Sequence, residues 1–446
     1  MLQKRRIFLP MEVFAREYLG KLALSVELLR NNFEVVIGHN HFVRGLALDS
    51  TIDSVFYEIK GESRANMPHL HELKQKGICL VGQDEEAGIS YSNFEDFRKF
   101  RPEVDNIQKF DKFFFWGEDD LSFYQTTSQK SELLATGSPR SIFWGNFGMK
   151  FYESRKLVDK RINGNYLLLM TSFGFKNPLG SHREGKRYSK ISGYPDSFQK
   201  YMADRLFWED DAHKTVVRVV KAILKFTSYR IVLRPHPSEN SLAWEKEFYG
   251  ETRVLISKTD NSIPVILGAA HVLHSGSTTG LESLLCDKST ISYHKIIKSD
   301  TCEMVSDRFS ASPESISELV EMLNSGEQYL AKHGFSDVIK RKILMHSNVE
   351  VLKLQAAAIS ATRPSSALED TKQNTNTNHN KRNLAQRFVE RIQYGKNQYE
   401  EINKNKRPRI YLPTVTNDLE RLSSLLEFEQ KVDVVELADS TFILKV

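Results

Sequence analysis

The sequence predicts an α/β protein built from two doubly wound domains that face a cleft, followed by a C-terminal extension. Three observations carry this. Short apolar runs alternate with helical periodicity in two successive series, one on each side of a charged helical stretch at 141–165. Such runs fit strands of a parallel sheet covered on both faces. The chain's 446 residues leave room for two such domains. After Thr362 the composition shifts to Asn, Thr, Lys, Ser and His, which cannot anchor a core.

Taken in order, Ile7–Leu9 reads as a first strand, and Phe14 to Arg30 as an amphipathic helix with Leu19, Leu22, Val26 and Leu29 on one face. Strands are expected at Glu34–Ile37, Ser54–Tyr57, Ile78–Val81 and Lys112–Trp116, which completes a domain over 1–140. Residues 141–165 form a bridge. A second domain over 166–361 opens with Tyr166–Met170, followed by a loop from Thr171 to about Ser197 that is rich in basic residues, Pro and Gly. A loop of this length is more often functional or mobile than neutral. A long helix from about Phe198 to Phe226 follows, then strands at Arg230–Leu233, Val254–Ile256, Val272–His274 and Thr290–Tyr293, and a helix to Asn324 opened by a capping serine among Ser312–Ser315. Residues 362–382 read as a disordered linker. The extension over 383–446 holds a basic helix-like segment at 383–405, a helix at Asp418–Glu429, and a hairpin or docking strand from Val432–Leu437 and Phe442–Leu444.

Composition narrows the class. Apolar residues make up 40% and charged residues 27%, as in a soluble protein, and no apolar run approaches a span of about 20 residues. Lys4, Arg5 and Arg6 before Ile7 resemble the start of an export signal, but Pro10 and Glu12 interrupt the apolar stretch, which favours a buried strand. Cys79, Cys286 and Cys302 have neither disulfide nor zinc spacing. A cytoplasmic protein is expected. The net charge of +5 is too modest and too dispersed for nucleic-acid binding.

Two turns in the second half suggest an anion site. Arg234-Pro235-His236-Pro237-Ser238-Glu239-Asn240 and His274-Ser275-Gly276-Ser277-Thr278-Thr279-Gly280-Leu281-Glu282 each lead from an apolar run into a helix. On neighbouring strands they would face one crevice at the carboxyl edge of the sheet. His236, held between prolines, can donate to a phosphate oxygen while Arg234 adds charge; the plain alternative is a satisfied loop histidine and a structural ion pair. Ser275, Ser277, Thr278 and Thr279 offer hydroxyls at a helix start, but the lysine of a P-loop is missing. Glu282 can accept from a ribose or merely complement the helix dipole.

In the first half, Asp84-Glu85-Glu86 follow the strand Ile78–Val81. Crowding raises the pKa of one such carboxyl, so it can serve as base or nucleophile while a neighbour stays ionised; a solvated acidic loop is the competing reading. Glu12, Arg16 and Glu17 read more simply as an exposed helix start with an intrahelical pair. His39-Asn40-His41 lack the further ligands a metal needs. Neither metal nor cofactor is expected.

Asp84-Glu85-Glu86, Trp116-Gly117-Glu118, Thr136-Gly137-Ser138-Pro139-Arg140, Thr171-Ser172-Phe173-Gly174-Phe175 and the two turns occur in an order that resembles the bacterial surface carbohydrate biosynthesis protein family. The resemblance runs to about residue 300, and Val432–Leu444 looks like that family's C-terminal strand segment. The family is similar in layout to CMP-sugar-dependent glycosyltransferases of GT-B type, including bacterial sialyltransferases and β-Kdo transferases. The resemblance implies two Rossmann-like domains, Asp84 or Glu85 as catalytic acid, and His236 and Ser277 to Thr279 on the CMP phosphate. The glycine expected after the acids is Ala87 here, with Gly88 one place later. The implied partners are a CMP-activated nonulosonic acid, a glycan or lipid-linked glycan acceptor and, at the periphery, the inner membrane. Transfer can invert, with the carboxylate as base, or retain by two displacements. The rivals are a UDP-sugar transferase, a CDP-polyol phosphotransferase, and a non-catalytic scaffold whose tail beyond Arg382 recruits partners.

Overall fold

The computed structural model describes residues 4–59, 67–85, 104–125, 131–153, 161–162, 164–174, 176–177, 196–237, 239–257, 261–297, 304–344, 348–363 and 408–446. Glu86, Ser238, most of the expected loop after Thr171, the expected linker beyond Arg363 and the basic segment 383–405 lie outside the described residues.

Two sheets form, as the alternating pattern requires. The first takes β1 (Arg5–Met11), β2 (Phe33–His39), β3 (Ser54–Glu58), β4 (Cys79–Gln83), β5 (Lys112–Phe115) and β6 (Glu132–Ala135), parallel in the order β2-β1-β3-β4-β5-β6. The second takes β7 (Tyr166–Met170), β8 (Arg230–Arg234), β9 (Val254–Ile256), β10 (His271–His274) and β11 (Thr290–Ser292), all parallel in the order β11-β10-β7-β8-β9. These are two doubly wound domains, the GT-B type of arrangement. The strand β6 is absent from the sequence reading. Its four residues are half-buried or exposed at the sheet's edge, where Leu133-Leu134-Ala135 is a short apolar run.

The extension is woven into the first domain. Strand β13 (Thr441–Lys445) pairs antiparallel with β2, setting Phe442 opposite Ile37 and Leu444 opposite Val35, and β12 (Asp433–Ala438) pairs outside β13. The helix Leu412–Leu425 begins six residues earlier than the expected Asp418, with Pro413 in its first turn. The helix Glu350–Ala361, inside the stretch 166–361, crosses back to pack on the helix Phe14–Arg30.

These additions change the character of the first helix. An amphipathic surface helix would leave its polar face in water, yet Phe14–Arg30 is buried nearly all round, including Glu17, Lys21, Ser25 and Glu27. It is covered by its own sheet, by the 3-10 turn Pro139–Phe143, and by the helices Glu350–Ala361 and Leu412–Leu425. Gly20 is where the covering comes closest: a Cβ there would lie 2.8 Å from the backbone nitrogen of Arg140. In the second domain, Val216, Val219, Val220 and Ile223 of the helix Asp196–Phe226 pack on Leu167, Leu169, Ile231 and Leu233 of the sheet.

The two anion-type turns, expected on neighbouring strands, do not share such a pair. They follow β8 and β10, which are not neighbours, because β7 runs between them. At the strand spacing of a sheet their origins stand roughly 10 Å apart, on either side of Thr171.

Candidate functional site

The Arg234–Asn240 turn is organised by a residue to which sequence reasoning gave no role. Glu239 is 2% exposed. Its carboxylate accepts from Thr171 Oγ1 at 2.8 Å, from the backbone nitrogens of His236 and Phe173 at 2.9 and 3.0 Å, and from Trp244 Nε1 at 2.9 Å. Burial pushes its pKa up while these four donors oppose the shift. Glu239 thereby ties the ends of β7 and β8 together, holds the turn, and leaves the His236 ring exposed at the sheet edge. Arg234 is buried, and its backbone oxygen accepts from Thr171 N at 3.3 Å.

A second buried carboxylate shapes the Ser275–Thr279 turn. Asp307, 4% exposed, accepts from Gly276 N at 2.8 Å and Ser292 Oγ at 2.5 Å through one oxygen, and from Met304 N at 3.2 Å through the other. Gly276 has φ +64, and a Cβ there would lie 2.7 Å from Asp307 Oδ2, so the turn needs glycine on both counts. Ser277 caps the helix Thr278–Leu285, its hydroxyl accepting from Gly280 N at 3.0 Å. Ser275 is buried, while Thr278 and Thr279 are partly exposed beside that helix's amino end. His274 lies behind the turn with no exposure, Nε2 3.0 Å from Ser310 Oγ and Nδ1 3.7 Å from Asp307. The trio resembles a hydrolytic triad, but Ser310 Oγ donates to Ser306 O and nothing in the trio reaches solvent. Burial pushes the His274 pKa down to about 4, so it is a neutral structural imidazole.

The acidic run sits at the carboxyl end of β4. Asp84 and Glu85 are 5% and 4% exposed, which removes the solvated-loop reading for these two. Lys21 Nζ lies 3.5 Å from Glu85 Oε1, donates to Pro10 O at 2.9 Å, and stands 4.8 Å over the Tyr57 ring. Burial raises the pKa of Glu85; Lys21 and Arg140 oppose the shift and Glu17 adds to it. The backbone is pinned as well: Trp116 Nε1 donates to Asp84 O at 2.8 Å, and Arg140 Nη1 to Glu85 O at 3.3 Å. Below it, Gln83 Nε2 donates to Gly137 O at 2.7 Å, and Gln355 Nε2 reaches Gly137 O and Thr136 Oγ1, both at 3.0 Å. Among Glu12, Arg16 and Glu17 the pair that forms is Arg16–Glu17, at 2.8 Å, but Glu17 is buried and also accepts from the backbone nitrogens of Glu12 and Val13, closing the first helical turn. His39 likewise serves the backbone, its Nδ1 accepting from His41 N as the cap of the helix Asn40–Leu48.

The two halves meet at Glu282. Its Oε1 receives Arg140 Nη2 at 2.6 Å and its Oε2 receives Ser262 Oγ at 2.8 Å, so both oxygens already have partners within the protein. Arg140 follows β6, and Glu282 lies on the helix that follows β10, so the contact joins chain from the carboxyl ends of the two sheets. Sequence reasoning missed Lys21, Arg140, Glu239, Asp307 and Gln355. Arg140 and Glu239 stood within recognised motifs without a role. Lys21 stands two positions from Leu19 and so off the apolar stripe, on the face of Glu17 and Ser25, where a lysine gave no signal.

No protein-family model matches the sequence, and no curated protein does. Solved structures are similar in fold. A UDP-GlcNAc 2-epimerase of Methanocaldococcus jannaschii, in complex with UDP-GlcNAc and UDP, is 12% identical with TM-score 0.48, covering 80% of this chain and 99% of its own. A putative UDP-N-acetylglucosamine 2-epimerase from Listeria monocytogenes is 11% identical with TM-score 0.48, covering 83% and 99%. The wall teichoic acid polymerase TagF is 10% identical with TM-score 0.47, covering 80% and 87%. Likenesses at this level carry no chemistry. No helix among the described residues is long and apolar enough to cross a membrane.

Proposed function

We propose that this chain is a glycosyltransferase that moves a nonulosonic acid, Kdo or a relative of sialic acid, from a CMP donor to a glycan acceptor in surface polysaccharide or lipopolysaccharide assembly. The observation that carries the reading is the Arg140–Glu282 contact at 2.6 Å, which joins the edge bearing Asp84 and Glu85 to the edge bearing the Ser275–Thr279 and His236 turns. A donor phosphate between the two turns would lie over Thr171 and Ser172. There it would meet the exposed His236 ring and the amino end of the helix Thr278–Leu285, with Arg234 adding positive charge from below. These groups neutralise the charge that develops on CMP as the glycosidic C–O bond breaks.

The carboxylate across the cleft either takes the proton of the acceptor hydroxyl or attacks the anomeric carbon itself. Burial favours the first step on energetic grounds, because a carboxyl whose pKa is raised holds an abstracted proton well. Calorimetric titration with CMP, UDP and CDP tests the donor: CMP is expected to bind tightest, and binding of UDP alone overturns the assignment. Glu85→Gln and Asp84→Asn, each assayed for loss of product with CMP binding kept, identify the reacting acid.

A further inference from the structure

We infer that Arg140 is a positioning residue, and that its seat on Glu282 sets the acid-bearing strand end in register with the anion-holding helix. The inference deepens the proposed transfer and takes its meaning from that reading.

Four features of the contact support it. First, it is dry: the Arg140 and Glu282 side chains are 10% and 7% exposed. A charge pair kept from water is held by its partners, and removing one charge leaves the other uncompensated. Second, Arg140 has no freedom to swing. Its guanidinium stands 5.5 Å from the Trp116 ring and 5.2 Å from the Trp144 ring, which stack on each other at 5.8 Å. Its backbone is wedged against Gly20.

Third, the same guanidinium fork serves both domains. Nη2 reaches Glu282, and Nη1 reaches the main-chain oxygen of Glu85. Trp116, one wall of the arginine's box, donates to the neighbouring oxygen of Asp84. The guanidinium that grips the other domain thus fixes one main-chain oxygen of the acidic run, and the indole it packs against fixes the other. Fourth, Glu282 lies one turn into the helix that Ser277 caps, and its second oxygen is held by Ser262. A displacement of Arg140 therefore moves the acids relative to the anion turn. Both residues spend these polar groups on the protein itself, which is the mark of positioning rather than of ligand contact. Lysine carries its three donors on a single nitrogen and lacks the planar fork that spans the two partners from two nitrogens.

The test uses the 446-residue chain in a Cys302→Ser background, spin-labelled at Gln75→Cys on the first domain and Lys246→Cys on the second, both exposed positions. Distance distributions are measured by pulsed electron resonance and CMP affinity by calorimetry, for the parent, Glu282→Gln and Arg140→Lys. Glu282→Gln is nearly isosteric and keeps the Ser262 contact, which guards against simple unfolding. The parent is expected to give one narrow distribution. Both variants are expected to broaden it at least twofold while CMP affinity stays within threefold. An unchanged distribution in both variants overturns the inference. So does a tenfold loss of CMP affinity in Glu282→Gln with the distribution intact, which would make Glu282 a ligand of the nucleoside. A parent that binds no nucleotide overturns the proposed function, while the distance measurement still decides the role of Arg140.

Discussion

The two sheet edges that meet at the cleft are built by opposite means. The second domain's edge is held by its own neighbours: Glu239 and Asp307 gather backbone N–H groups, two hydroxyls and an indole from nearby chain, and leave His236, Thr278 and Thr279 at least partly exposed. The first domain's edge is held from afar. Gln355 arrives from a helix that has already passed through the other domain, and β13 comes from more than 400 residues beyond β2. Its acids are buried, and Glu85 is charge-compensated by Lys21. A site for a diffusing anion benefits from local, rigid donors with an open front. An acid that must hold a raised pKa benefits from being enclosed, and enclosure takes chain from elsewhere.

Four changes to the chain put this contrast to the test. Removing residues 408–446 should have the largest effect. It uncovers the surfaces buried under Val415, Leu419, Leu422, Phe442, Ile443 and Leu444, and at about 1.5–3 kcal/mol per side chain the loss rivals the whole stability of a domain, about 5–15 kcal/mol. Calorimetry should show the first domain's transition abolished; a parental melting temperature would mean that the edge does not depend on distant chain. Glu239→Ala should come next, leaving four donors unpartnered at a cost of about 3 kcal/mol, seen in urea unfolding together with loss of CMP binding.

Asp120, buried beside Lys342 of the other domain, tests the enclosed edge through pH. Burial pushes its pKa up to about 7, with Lys342 opposing and Asp119 and Asp84 reinforcing the shift. The folded state therefore holds this proton where the unfolded chain has lost it, and stability is lost as pH rises from about 4 through about 7, on the order of 1 kcal/mol per unit. Asp120→Asn should flatten that part of the stability profile; an unchanged slope would show that Asp120 is ionised in the fold. Smallest is Ser277→Ala, which removes one helix cap for about 1 kcal/mol, readable as a modest fall in melting temperature.

The sequence announced the parts that repeat. The inner strands were legible because an apolar run of four or five residues bounded by turns is too short for a helix and too apolar for a loop, and Ser315 declared its helix by capping it, accepting from Glu318 N. The hairpin near the C-terminus was legible for the same reason. What periodicity cannot carry is which strand lies between which, so the two turns were expected on neighbouring strands although β7 separates them. Nor can it say what covers a helix. Glu12, Arg16 and Glu17 looked like an exposed helix start because nothing local showed that Glu350–Ala361 and Leu412–Leu425 would enclose their helix. The carboxylates that organise the site, Glu239 and Asp307, bond mainly to backbone, and backbone groups leave no mark in side-chain pattern.

The antiparallel pairing of β13 with β2 also fixes the order in which the molecule can be finished. About 400 residues separate the two strands, which at 5–20 residues per second is roughly 20–80 s of synthesis. Through that interval the second sheet can close on itself, while the sheet begun first waits with the Val35–Ile37 edge unpaired. An open edge of that kind invites other strands. The domain that starts the chain is the last to be complete, and its exposure during synthesis is a property of the topology that no folded-state measurement would reveal.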